Sequence, residues 1–594
     1  MSSDNRQPAR TLAATASPDA AREILLHLAI LTMISSVAMF LRLDRAELMG
    51  AREPKAITPA RQMLQSGDWV LPRLGNRPRL EKPPWVYWRI AALGAWTGHV
   101  GRWEGRLPGA IEGVLLVLLC YALGRSLLGP AVGLASACFL IATPAFVYEA
   151  RLAGPDTPFT LLATLAVAAA WWSWNSPSRR RRLGLLIVFY ISLSLAALCK
   201  GPFVLVNCGL PILAFVIWRR KPILLWRLNP ILGLLIVIAI VAPWPVLLWK
   251  HGVDPRSLWG REVAQKLHPD PFKSLQYLMG RIFPWIPLFL GGLTVPFLKR
   301  HRAFPREVLM PWVWFVSVFA GVSLLFSAKE NYLSALAVPA ALLIGTCWCG
   351  MVRLFREKTA GWQERLVLHG QIGVLGVGGI VAAAVLAHKF GRGVLEPTII
   401  AACFVVAAVG MAVFYRREKL GAQVPAMCCV LAMGVLTAGY IPTIAAHRSM
   451  GGPARQLVKY LRTLPPDAPV YDYVKQCAFV YYHLDHPLPR LPGPKSLGKH
   501  LSKTKEPFYL AMQWQLAGRD HHWRVPMRRG ETVEWVDVKE RFEEVEAYWR
   551  PHQHRPAVVL LRYKGPPPEE HTTRQNQDAA PSSATPPPPP PGQT

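Results

Sequence analysis

Arg219-Arg220-Lys221-Pro222, and shortly after it Pro230-Ile231-Leu232-Gly233-Leu234-Leu235-Ile236-Val237-Ile238-Ala239-Ile240-Val241-Ala242-Pro243-Trp244: a block of positive charge, then an apolar run filling 229–249. About 20 apolar residues wound as a helix cover a hydrocarbon core of roughly 30 Å, and the basic block stays in water at one end. The pairing recurs along the chain. About thirteen stretches have the length and hydropathy of a span. They lie near 24–42, 108–127, 130–147, 158–175, 184–199, 202–218, 229–249, 282–298, 310–327, 332–350, 369–387, 397–415 and 424–444. The chain is 52% hydrophobic and only 17% charged, so these runs cannot all be buried in one soluble core. The fold class is a polytopic α-helical membrane protein. Arg6, Arg10 and Arg22 precede the first span and no small-residue cleavage site follows it, which reads as a retained helix rather than a signal peptide.

Charge orients the helices. From a cytoplasmic N-terminus, alternate connections carry Arg179-Arg180-Arg181-Arg182, Arg219 to Arg227, Lys299-Arg300-His301-Arg302, Arg353 to Arg365, and Arg416-Arg417-Glu418-Lys419. Short basic loops of this kind stay on the cytoplasmic side, next to anionic lipid. They account for much of the net charge of +31. Because they are scattered between spans, they form no continuous stripe for nucleic acid, and no nucleic-acid partner is expected. Most of the ten cysteines fall inside apolar spans and read as small hydrophobes, with Cys477 alone beyond them; no disulfide framework is expected.

Four regions follow. Residues 1–23 form a cytoplasmic N-terminal segment and 24–445 the membrane domain. Residues 446–564 form a small extracytoplasmic α/β domain, and 565–594 a Pro-rich tail with too little apolar content to fold. Strand character appears at 470–474, 508–512, 533–538 and 557–562. The long connection at about 44–107 is external yet rich in arginine. Its stretches 57–64 and 85–96 read as interfacial helices with an aliphatic or aromatic side toward lipid.

Polar clusters recur at the span ends on that external side: Arg52-Glu53, Glu81-Lys82-Pro83-Pro84, Arg151 with Asp156, Lys200-Gly201-Pro202, Glu262 with His268, and Lys329 with Tyr332. Chemistry gathered at one face suits an enzyme acting on a lipid-borne substrate. A transporter or flippase would instead place ionisable groups near the bilayer midplane on discontinuous helices. An inactive glycan-binding protein is the third reading.

In chain order, several motifs stand out: Arg52-Glu53-Pro54-Lys55, the run Arg61 to Leu74, Glu81-Lys82-Pro83-Pro84-Trp85-Val86-Tyr87-Trp88, and Arg106-Leu107-Pro108. Arg151 with Pro155-Asp156, Lys200-Gly201-Pro202, His268-Pro269, Phe283-Pro284-Trp285 and Ser327 to Tyr332 complete the set. Over roughly residues 20–350 the chain resembles the GT-C membrane glycosyltransferases. It is nearest the branch that contains the aminoarabinose transferases of lipid A and, more distantly, the protein O-mannosyltransferases. The resemblance implies a polyprenyl-phosphate sugar donor and a lipid A-like glycolipid, polysaccharide or protein acceptor. It also implies inversion at the anomeric carbon and an inner-membrane, multi-pass enzyme with its active site outside.

Positioned cations stabilise a departing phosphate, and a carboxylate can take the acceptor's proton. By resemblance Lys82, Lys200 and Lys329, with Arg151, bind the donor phosphate. Glu53 and Asp156 are the candidate catalytic bases, and Tyr332 and Arg52 the substrate contacts. Glu81 and His268 are a candidate pair for a divalent cation, with Glu262 weaker. Each residue has a plainer reading. Span-end lysines snorkel. Asp156, after Pro155, can cap a helix. Glu81 and His268 can simply bond each other, and Tyr87 suits an aromatic belt. One departure is visible: family members open the first loop with Asp-Glu, and here Arg52 stands in place of the acid.

Overall fold

The structure is a computed structural model. It describes residues 18–44, 48, 52–75, 77–254, 267–297, 309–390, 395–418, 421, 451–465, 467–473, 478–484, 488–491, 493–504, 506–513, 524–529, 532–549 and 556–564. The last expected span (424–444), Glu262, Cys477 and the Pro-rich tail lie outside the described residues.

The first half of the chain builds the frame of the site. Helix α1 (Pro18–Phe40) is followed by α2 (Arg52–Ser66) and α3 (Trp85–Thr97) in the long loop. Next comes α4 (Arg102–Leu128), whose first turn is fixed by Glu104 accepting from the Gly101 amide at 2.8 Å. Helices α5 (Pro130–Ile141) and α6 (Pro144–Ala150) meet at a 70° bend. Pro144 lacks the N–H that would continue α5, so the chain starts a new helix there. Helices α7 (Asp156–Trp174) and α8 (Arg179–Lys200) form a hairpin. With 19 and 22 residues they are nearly equal in length, so Asp156, first in α7, and Lys200, last in α8, end at the same level.

Among the described residues, five helices are long and apolar enough to cross a membrane, or seven if each bent pair counts as one span. The helices 205–219, 309–325 and 401–416 are apolar but shorter. Each earlier apolar stretch read from the sequence falls on a helix or a bent pair. The second bent pair, Pro271–Ile282 with Ile286–Phe297, turns through 113°.

Packing between α4 and α5 requires a glycine. A Cβ on Gly133 would lie 2.7 Å from both the Arg125 amide nitrogen and the Tyr121 carbonyl oxygen, backbone atoms that cannot rotate away. We expect Gly133→Val to destabilise the protein by about 1–3 kcal/mol through forced separation of the helices. Unfolding in mixed micelles would measure it.

The loop helices depart from the expected lipid-facing role. Ile57, Ala60 and Met63 of α2 are buried together with Leu457, Val480 and Leu560 of the C-terminal region. The apolar side of α2 is thus covered by protein. In α3, Trp96 is 84% exposed and keeps an aromatic side outward. Arg61 ties α2 to the C-terminal region: it donates to the carbonyls of Val100 and Tyr482, both at 2.9 Å, and lies 4.7 Å over the Tyr482 ring.

The C-terminal region holds a five-stranded mixed sheet in the order β4-β3-β5-β9-β8. Its strands are β3 (Val470–Tyr473), β4 (Arg490–Leu491), β5 (Tyr509–Gln513), β8 (Phe542–Trp549) and β9 (Pro556–Tyr563). Two-residue strands β1 (Arg73–Leu74) and β2 (Arg77–Pro78) pair in the first loop, and β6 (Arg524–Arg529) with β7 (Thr532–Asp537) forms a separate hairpin. β3 runs parallel to β4 and β5, and β9 antiparallel to β5 and β8. Tyr473, Phe508, Leu510, Met512 and Val559 fill the core on this sheet. The sequence reading found β3, β5, β7 and β9 and missed β4, β6 and β8, of which β8 lies at one edge of the five-stranded sheet. That edge strand reads Phe542-Glu543-Glu544-Val545-Glu546, and acidic residues on an edge hide its strand character.

Candidate active site

Asp156 is the centre of the polar cluster. The start of α7 places its carboxylate beside the end of α8, where Lys200 Nζ lies 2.6 Å from Oδ1. The Asn331 side-chain amide donates to the same oxygen at 3.3 Å. Oδ2 faces Arg52 Nη1 at 3.7 Å. Asp156 and Lys200 are both buried, whereas the Arg52 side chain is 45% exposed. The cluster therefore opens on the Arg52 side.

A second carboxylate stands next to it. Glu149, on α6, pairs with Arg281 at 2.9 Å and lies 3.7 Å from the same Arg52 nitrogen. Arg281 also donates to the Glu330 carbonyl at 3.3 Å. The other oxygen of Glu149 is buried and has no hydrogen-bond partner among the described residues. Neither Glu149 nor Arg281 was singled out from the sequence. The available signal was a charged residue inside a largely apolar stretch, which is rarely incidental.

Lys200 and Lys329 share an aromatic floor. Lys200 Nζ lies 4.8 Å from the Phe159 ring and 5.6 Å from the Phe203 ring. Lys329, exposed, lies 5.6 Å over Tyr332, whose ring is 5.1 Å from that of Phe203. Cations over ring faces are held in place, and Lys200 Nζ also donates to the Asn331 carbonyl at 3.4 Å. Tyr332 itself is buried in this floor, so its ring supports the lysines rather than presenting a face to substrate. Lys82 is half-buried where the first loop enters α3.

Two residues named from the sequence have other work. Glu53 is fully buried, and its two oxygens accept from Arg106 Nε at 2.7 Å and Nη2 at 2.8 Å. The Ala153 amide donates to it at 3.2 Å, and Arg106 reaches on to the Leu43 carbonyl at 2.8 Å. A carboxylate so enclosed joins α2, α4 and the turn before α7, and no acceptor hydroxyl can reach it in this arrangement. Arg151 is likewise buried. It donates to the carbonyls of Ala38 at 2.7 Å, Met39 at 3.1 Å and Leu41 at 2.6 Å. Those are orphan acceptors at the end of α1, so Arg151 caps that helix instead of meeting a phosphate. A further pair, Arg89 with Glu112 at 2.8 Å, ties α3 to α4.

Glu81 pairs with Arg79 at 3.0 Å. Burial raises its pKa, but Arg79, Lys55 and Lys82 outweigh that and hold the carboxyl below its ordinary value. His268 is exposed. Among the described residues no group of three or more His, Cys, Asp or Glu side chains comes together to hold a metal.

The arrangement can hold an anion over the two lysines and present the Asp156 carboxylate beside it. The family model for dolichyl-phosphate-mannose-protein mannosyltransferase matches residues 29–253. An undecaprenyl phosphate-alpha-4-amino-4-deoxy-L-arabinose arabinosyl transferase of Edwardsiella ictaluri is 28% identical over 342 residues, which is 56% of this chain and 60% of that one. An uncharacterized protein of Aquifex aeolicus is 30% identical over 290 residues, covering 47% and 55%. The chain therefore matches a little over half the length of these curated relatives. The crystal structure of ArnT from Cupriavidus metallidurans bound to undecaprenyl phosphate aligns with a TM-score of 0.69 at 20% identity, covering 91% of this chain and 98% of that chain. Its apo state aligns with a TM-score of 0.70. The chain shares that fold and resembles the membrane glycosyltransferases of the GT-C type.

Proposed function

We propose that this protein is an integral-membrane glycosyltransferase of the inner membrane. It moves a sugar from a polyprenyl phosphate to an extracytoplasmic acceptor, which is a lipid A-like glycolipid, a polysaccharide or a protein. The observation that carries the reading is the Asp156 cluster: a carboxylate at a span end, beside Lys200 at 2.6 Å, opening toward the half-exposed Arg52. In this reading the chain has thirteen spans, and the cluster and the C-terminal sheet lie outside, as the basic loops on the other side support.

Lys82, Lys200 and Lys329 take the donor phosphate. An acceptor hydroxyl oxygen attacks the anomeric carbon from the face opposite the phosphate. The carbon–oxygen bond to phosphate breaks, and the electron pair leaves with the polyprenyl phosphate. The hydroxyl proton goes to Asp156. Inversion follows from that geometry. The cations neutralise charge as it develops on the leaving phosphate, the term that usually contributes most to such a reaction. Arg281 fixes Glu149 beside this centre, while Glu53 and Arg151 hold its framework.

The test is mass spectrometry of envelope lipids and glycans from cells with the native protein, a deletion, and Asp156→Asn. We expect one glycoconjugate to lose a sugar mass in both altered strains while a polyprenyl-phosphate sugar accumulates. An envelope changed by the deletion but unaffected by Asp156→Asn would overturn the catalytic reading and favour transport or binding.

A further inference from the structure

Arg52 has no hydrogen bond among the described residues, although it stands within 3.7 Å of two carboxylates. Asp156 and Glu149 are each already matched by a closer cation, Lys200 at 2.6 Å and Arg281 at 2.9 Å. The five groups together carry three positive charges and two negative ones, and only Arg52 among them is substantially exposed. What a substrate meets at this opening is therefore a guanidinium with donors to spare, backed by carboxylates that keep it in place.

A guanidinium of this kind presents a planar fork suited to an oxyanion and repels an ammonium. Its position decides which part of the substrate it meets. In the reaction proposed above, Asp156 takes the proton of the hydroxyl that attacks the anomeric carbon, so the reacting end of the sugar stands beside that carboxylate. Arg52 borders that carboxylate, so it borders the sugar.

We propose that Arg52 sets the charge selectivity of the sugar subsite. A sugar bearing a carboxylate is favoured over a neutral one, and a neutral sugar over one bearing an ammonium group. This rests on the glycosyltransferase reading and narrows its substrate class. Arg52 acts on binding and orientation, so it is a specificity-determining residue and takes no part in proton transfer.

The experiment uses the full chain in lipid nanodiscs. Its probes are short-chain polyprenyl phosphates bearing a hexuronic acid, a neutral hexose or an amino-pentose, together with the bare polyprenyl phosphate. Affinity is measured without acceptor, so the result does not depend on turnover. We expect the acidic donor to bind the native protein at least about tenfold tighter than the amino donor, an effect of the size that one well-placed charge produces. Arg52→Gln should collapse that ratio, and Arg52→Asp should reverse it. Ratios taken within one variant are insensitive to partial loss of folded protein, and Arg52→Gln decides the matter if Arg52→Asp does not fold.

Native protein that binds the amino donor as tightly as the acidic one overturns the inference while leaving the lipid-phosphate donor reading in place. So does an Arg52→Gln variant that weakens every probe equally, bare polyprenyl phosphate included, because Arg52 would then lie on the phosphate. Native protein that binds none of the four probes overturns the donor reading, and this inference with it.

Discussion

Asp156→Asn lowers the turnover number for transfer by about 10²–10⁴-fold, the range expected when a positioned proton acceptor is removed, and does not weaken donor binding. The second half of that expectation separates catalysis from scaffolding. Asp156 is the closest counter-ion of Lys200 and also faces Arg52. Neutralising it leaves both cations more available to an anionic donor, so KM for the donor should stay level or fall while kcat drops. A structural role would produce the opposite split, with lost folded protein, weaker binding and a retained rate per folded molecule. Steady-state kinetics on purified protein, with the folded fraction determined alongside, distinguishes the two. Lys200→Gln provides the contrast. It removes a phosphate-binding cation and raises KM, where Asp156→Asn does not.

The parts legible in the sequence were those governed by local pattern. Apolar runs and basic loops each act within a few residues, and the helices follow the runs, whereas the Pro144 bend inside the stretch read as 130–147 appears only in the structure. The meeting of Asp156 with Lys200 could be anticipated because two successive helices of similar length return to one level. What the sequence could not show is which partner each buried charge has chosen. Glu53 and Asp156 both read as acids at a span entrance. Only the fold reveals that one is enclosed by Arg106 and the other opens toward Arg52. Arg151 and Lys200 likewise look alike as span-end cations, yet both terminal nitrogens of Arg151 donate to the carbonyls that end α1. α2 was misjudged for a related reason: its amphipathic face fits lipid or protein equally well. Val480 and Leu560, which cover that face, lie some four to five hundred residues away in the chain.

The enclosure of Glu53 carries the other large effect. Removing one member of a buried ion pair leaves the second without compensation and costs about 3–5 kcal/mol. Arg106→Leu should destabilise the protein by that amount, because Glu53 would stay buried without the guanidinium that pairs with both of its oxygens. Glu53→Leu should have a comparable effect, because the buried Arg106 guanidinium loses its carboxylate counter-ion. The double variant, with neither charge present, should recover much of the loss, because the desolvation penalty disappears along with the pair. Unfolding of the four proteins in mixed micelles closes this cycle. Activity decides whether Glu53 is framework or base. If it is framework, Glu53→Gln keeps its rate per folded molecule within a few-fold of native. If it is the base, the rate falls by the 10²-fold or more expected of Asp156→Asn. The bidentate fork favours the first result. Both Glu53 oxygens already accept from one guanidinium at 2.7 and 2.8 Å, and taking a substrate proton would break that pair in the buried interior, where a lone Arg106 charge is least tolerated.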